Sequence, residues 1–206
     1  MRASFVFVIL LAVVPAHADW LLDSMRAASA ATSPGQTGAP APATEWIAYE
    51  PPSRLFRADL PPEGWNAYEE EDALGTVVRA FGPDDPSGAL RATLSVRLID
   101  RDAPNFLPAK EAVESMRQSK SGREVSPVRP LRLPIGLARV FEIVETRRLP
   151  VDSGPSSPLA VHQYIAVIPR GSDYFLVRLV TARSNYLDFR DDFTRFLRSF
   201  RPIGAR

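Results

Sequence analysis

The sequence predicts an α+β domain built on an antiparallel β-sheet flanked by helices, and three observations carry that prediction. From about residue 45 onward, short strand-like runs are punctuated by proline- and glycine-rich turns. Two pairs of these runs read as hairpins. Within the same stretch only residues 108–120 and 186–199 place apolar side chains at helical spacing, so two helices are available to cover the sheet.

The 206 residues leave room for one ordinary domain plus extensions. A formal charge of +1 gives no electrostatic reason to expect nucleic acid as a partner. The chain has no cysteine, which excludes a disulfide, a thiolate nucleophile and a zinc–sulfur site.

At the N-terminus Arg2 supplies a positive charge ahead of an apolar run over residues 5–14 (FVFVILLAVV). Pro15 follows, and Ala16-His17-Ala18 fits the small-x-small rule of a signal peptidase. The run is about ten residues, half of the roughly 20 that a membrane-spanning helix needs. Residues 1–18 therefore read as a cleaved signal peptide and the protein as periplasmic or secreted, with no transmembrane segment after cleavage. No cysteine follows the run, so a lipoprotein anchor is excluded, and His162 is the single histidine of the mature chain. Residues 19–44 read as a tail: a short possible helix at 19–31, then a flexible Pro/Ala-rich linker at 32–44 without charge.

The domain is expected at 45–206. Residues 54–60 form a strand running into the turn Pro61-Pro62-Glu63-Gly64-Trp65. Residues 75–81 form the next strand, and residues 89–99 the clearest one: Leu90, Ala92, Leu94, Val96 and Leu98 alternate with Arg91, Thr93, Ser95 and Arg97. A helix is expected at 108–120, with Pro108 at its first position and Gly122 beyond its end. Residues 125–133 and 137–148 make a hairpin whose first strand is pushed to an edge or a bulge by Pro127, Pro130 and Pro134. Residues 150–158 read as a loop. Residues 159–168 and 174–181 make a second hairpin, apolar on both faces and so central. The last helix, 186–199, carries Phe189, Phe193, Phe196, Leu197 and Phe200 on one stripe, and Pro202 stops it.

Two of these segments also carry a family resemblance. Phe56…Leu60-Pro61-Pro62-Glu63-Gly64-Trp65 resembles the opening motif of the PsbP-like superfamily, and Phe193-Thr194-Arg195-Phe196-Leu197-Arg198-Ser199-Phe200 resembles its closing helix. That superfamily groups the PsbP proteins of photosystem II, a yeast Ran-binding import factor and the bacterial DcrB-like envelope proteins. The resemblance covers about residues 49–202 and implies an α/β/α sandwich used for binding or assembly. It brings no catalytic residues, and no partner-binding residues of the family are recognisable here.

Chemistry is sparse. His162 lies in an apolar strand, where a general base or ligand competes with a half-exposed sheet histidine. Glu69, Glu70, Glu71 and Asp72 form an acidic run, read as a turn, where a hard cation or plain solvation are the alternatives. Asp84-Asp85 reads as turn chemistry. Arg117, Lys120, Arg123, Arg129, Arg132, Arg139, Arg147 and Arg148 make a basic stretch suited to an anionic partner or to an ordinary soluble surface. No phosphate-binding loop or hydrolase motif is present. The expectation is an exported, non-enzymatic binding or assembly protein of the bacterial cell envelope with no catalytic, cofactor or metal site. Its partner is another envelope protein or, as the alternative, a small apolar ligand or lipid that it carries in an apolar pocket between helix 186–199 and the sheet.

Overall fold

The computed structural model describes residues 45–61, 64–72, 74–151 and 154–204; the expected signal peptide, short helix and linker lie outside the described residues. Eleven strands and two helices follow in order: β1 (Ile47–Tyr49), β2 (Phe56–Leu60), β3 (Asn66–Asp72), β4 (Gly75–Asp84), β5 (Arg91–Ile99), α1 (Ala109–Met116), β6 (Arg123–Val125), β7 (Arg129–Leu133), β8 (Gly136–Val151), β9 (Gly154–Arg170), β10 (Asp173–Ala182), α2 (Tyr186–Ser199) and β11 (Arg201–Pro202). The main sheet runs β3-β4-β5-β10-β9-β8-β6, with β7 on β8, and every pairing is antiparallel. A small second sheet, β1-β2-β11, lies beside α2. This is the α+β architecture that the sequence predicts.

Period-two alternation decides which side chains meet. On one face Val78, Leu94, Val96, Val177 and Leu179 pack against Phe189, Phe193, Phe196 and Leu197 of α2. Phe56 of β2 closes this core, stacked on Phe200 at 5.0 Å between ring centroids. Each such buried phenylalanine stabilises the fold by roughly 1.5–3 kcal/mol. On the other face Phe141, Ile143, Ile165 and Val167 pack against Ala112 and Val113 of α1. The central β9 is covered on both faces, as its sequence requires, whereas β10, expected to be covered likewise, is fully covered only on the α2 face and leaves Arg178 exposed on the other, beyond the reach of α1. Gly171 turns the chain between them at a φ of 62°.

Four expectations need correction. Residues 69–72 are not a turn but the end of β3, an edge strand whose charges satisfy neighbouring arginines and discourage edge-to-edge association. The described part of 150–158 is not a loop: the β8–β9 ladder continues through Leu149↔Ser157 to Val151↔Gly154. The helix expected at 108–120 spans only Ala109–Met116, with Pro108 just before it as its cap. Beyond Met116 the polar Gln118, Ser119, Lys120 and Ser121 offer no apolar face to bury. The first strand of the earlier hairpin is split into β6 and β7, separated by Ser126, Pro127 and Val128. β1 and β11 were not anticipated.

Candidate functional site

The break between β6 and β7 positions the site. Where the ladder is interrupted, Ser126 takes over: its N–H donates to the Glu142 carbonyl at 2.9 Å, and its hydroxyl accepts from the Glu142 N–H at 2.8 Å. This fixes Glu142 at the centre of β8. Its side chain points to the α2 face, because Glu142 lies opposite Tyr164 in the ladder and Tyr164 belongs to the α2 core.

A groove of about 260 Å³ opens there between α2 and the β7–β8–β9 segment of the sheet. Leu131, Val140, Phe193 and Leu197 give it apolar walls, while Arg129, Glu142, Tyr164 and Arg190 supply polar groups. Arg129 donates to Glu142 at 2.9 Å. Among the described residues Arg190 reaches only its exposed neighbour Asp191, at 3.3 Å, a contact of little worth in water.

Next to the groove, His162 is 4% exposed, which corrects the expected half-exposed sheet position. Its Nε2 lies 3.1 Å from Glu142 Oε2, and its ring is sandwiched between Tyr186 (4.4 Å, 13° between planes) and Tyr164 (4.6 Å). In the neutral ring the proton on Nε2 donates to Glu142 and leaves Nδ1 as a bare lone pair, buried without a partner among the described residues. The hydrogen bond from His162 holds the Glu142 pKa below its ordinary value, against burial, with Arg129 and Arg190 adding to the effect. Tyr164 donates its hydroxyl to the Tyr186 carbonyl at 2.9 Å, and burial, then Glu142, push its pKa up.

The other sequence candidates do not join this cluster. Along β3 the carboxylates alternate faces, so they cannot converge on one ion. Glu69 accepts from the Ser53 N–H and Glu71 from Thr76, while Glu70 pairs with Arg79 and Asp72 with Arg97. Among the described residues no group of three or more candidate ligands could hold a metal ion. Asp84 pairs with Arg91 at 2.8 Å. Asp85 caps its turn: burial pushes its pKa up, but hydrogen bonds from Ser87 and the Leu90 N–H outweigh that and hold it down. The basic stretch disperses, with Arg123 and Arg147 drawn to Glu145 and Arg129 to Glu142 on the opposite face. The groove lies where a pocket between helix 186–199 and the sheet was expected, but sequence reasoning missed its polar lining, Glu142 and Arg190.

No family model matches the chain, and no curated protein matches it. Among solved structures the chain is similar to the following three. The cyanobacterial PsbP of Synechocystis sp. PCC 6803 is 14% identical, covering 82% of this chain and 98% of its own, at a TM-score of 0.44. The Ran-binding protein Mog1p of Saccharomyces cerevisiae is 12% identical, covering 77% and 96%, at 0.49. LpqN of Mycobacterium tuberculosis, a protein involved in cell envelope biogenesis, is 15% identical, covering 76% and 89%, at 0.44. These likenesses are of fold alone.

Proposed function

We propose that this chain is an exported, non-enzymatic binding or assembly protein of the bacterial cell envelope, and that it engages another envelope protein through the groove between α2 and β7–β8. The observation that carries this reading is the groove: apolar walls around a rim that presents Arg190 without a strong internal partner. Its volume of about 260 Å³ suits an anchoring side chain of a partner better than a whole drug-sized ligand, whose sites span roughly 300–1,000 Å³. An acidic residue beside that anchor would meet Arg190. Export is supported by Arg2, the apolar run at 5–14 and Ala16-His17-Ala18, and no helix among the described residues is long and apolar enough to cross a membrane.

A non-catalytic role is supported by the surroundings of His162. One ring nitrogen faces Glu142 and the other is enclosed, so neither is bonded to a hydroxyl nucleophile. The apolar walls also favour a second reading, a carrier of a small apolar ligand or lipid with an anionic end.

The two readings separate experimentally. A photo-crosslinking residue at Thr194, half-buried in the groove wall, is expected to capture one protein in cells, with capture lost on Arg190→Glu. Native mass spectrometry of freshly purified protein is expected to show the bare chain. Absence of any crosslink together with a bound small molecule would replace the first reading by the second. Crosslinks indifferent to Arg190→Glu would remove the groove as the site.

A further inference from the structure

The sheet face opposite α2 is only partly covered. α1 lies over β8, β9 and Tyr174 at the start of β10, where Phe141, Ile143, Ile165 and Val167 form the smaller core. Pairing places Arg79, Ser95 and Arg178 side by side across β4, β5 and β10, at the border of that core, where Arg178 lies opposite Ile165, with Arg97 two residues further along β5 on the same face.

The arginines here are unequal. Arg79 is held by Glu70, Arg97 by Asp72 and Arg147 by Glu145. Glu145 also accepts from Gln163 and lies 3.8 Å from Arg123, so its oxygens are in use. Arg178 makes no side-chain hydrogen bond or ion pair among the described residues. Its side chain is nonetheless exposed at the middle of a central strand. Burial of its base, then Arg147, Arg79 and Arg97, act against its charge and lower its pKa, with Glu145 only partly compensating. A guanidinium offers five N–H donors in a planar fork and stays charged, so this fork is left without an acceptor in a region of like charge.

The geometry points to an anion-binding site at Arg178: a small oxyanion, phosphate or carboxylate, sits on the open sheet face and accepts the fork that no protein group accepts. The source is a free anion and not a bilayer surface. α1, packed on the same face over β8 and β9, stands proud of the open strip and holds a flat bilayer away from Arg178. The site is separate from the α2 groove, which opens on the other face of the sheet.

The test uses the full chain, titrated with inorganic phosphate and with acetate against chloride at constant ionic strength, while the arginine side-chain Nε–Hε resonances are followed by NMR. A saturable shift centred on Arg178 is expected, and Arg178→Gln should weaken it about tenfold or more, the loss expected for a charge-assisted hydrogen bond. Arg190→Gln, in the groove, should leave it unchanged. Wild-type spectra localise the site by themselves, so the test stands even if Arg178→Gln fails to fold. No saturable response of Arg178 to either anion overturns the assignment, as does an undiminished response in Arg178→Gln. Arg178-dependent cosedimentation with phosphatidylglycerol vesicles, without a response to the free anions, also overturns it.

Discussion

Gly82 offers the most direct test of how the N-terminal turn is fastened to the sheet. A Cβ at this position would lie 2.7 Å from Cε2 and Cζ2 of Trp65, in backbone that is itself buried in β4. Ordinary carbon–carbon contact is about 3.5–4.0 Å, so Gly82→Ala requires the indole to retreat by roughly 1 Å. It has little room, because Trp65 packs edge-on to Phe189 of α2 at 6.1 Å between centroids. Overpacking of this kind costs about 1–3 kcal/mol. For a domain of this size that is a fall in Tm of roughly 2–4 °C per kcal/mol, and so about 2–12 °C in all. Thermal unfolding followed by circular dichroism gives the loss, and tryptophan fluorescence should change with it. A smaller ring removes the clash, so adding Trp65→Phe to Gly82→Ala should restore part of the stability that Trp65→Phe alone would lose. If Gly82→Ala melts with the parent, or if the two changes are simply additive, the contact between Trp65 and Gly82 does not fasten this segment to the sheet.

Phe56→Ala removes a ring that is 1% exposed and stacked on Phe200, and should cost about 3–5 kcal/mol, read from urea unfolding with an unchanged slope. Acid should weaken the fold in a defined direction. The hydrogen bond from Arg97, then that from the Leu74 N–H, lower the Asp72 pKa to about 2, and hydrogen bonding from His162 lowers that of Glu142. Their stabilisation is complete above the unfolded-state values and is lost as pH falls through the folded ones, so Tm should drop from about pH 4 toward pH 2, and Asp72→Asn should flatten that drop. Asp192 has the opposite sign, since burial, then Asp191, raise its pKa. Asp192→Asn should therefore raise Tm at pH 7 and lose that advantage as pH falls below the folded-state value, and no gain at pH 7 would refute the assignment.

The elements legible in the sequence are those whose burial is decided by their own periodicity. Phe189, Phe193, Phe196 and Leu197 need only three- and four-residue spacing to define α2, and the alternation from Arg91 to Ile99 defines β5. β3 escaped because its partners lie outside it: Glu70 and Asp72 are strand residues only once Arg79 and Arg97 stand beside them on β4 and β5. The site escaped for a related reason. Treating residues 150–158 as a loop discarded the register between β8 and β9. With the ladder carried through to Val151↔Gly154, Glu142 falls opposite Tyr164, and period two then puts Glu142 and His162 on one face. That signal was present in the sequence. A pocket beneath helix 186–199 follows from its apolar stripe, but the polar lining of the groove does not, since Arg129, Glu142 and Arg190 come from distant segments and meet only through tertiary packing.

The arrangement within the groove also decides which arginine an incoming acid would meet. Glu142 accepts from both His162 and Arg129, so a partner carboxylate approaching Arg129 must displace an internal ion pair and leave Glu142, held at 26% exposure, with one donor fewer. Removing one partner of a part-buried pair costs more than the pair itself contributes. Arg190 asks for no such exchange, because its contact with Asp191 joins side chains 58% and 86% exposed. The Glu142–His162 pair under Tyr186 therefore acts as a fixed anchor for Arg129 and the β7 wall, while Arg190, one turn of α2 before Phe193 and two before Leu197, remains available for recognition. On this reasoning charge reversal at Arg190 weakens binding without loss of stability, whereas Glu142→Ala loosens the β7 wall and lowers stability as well.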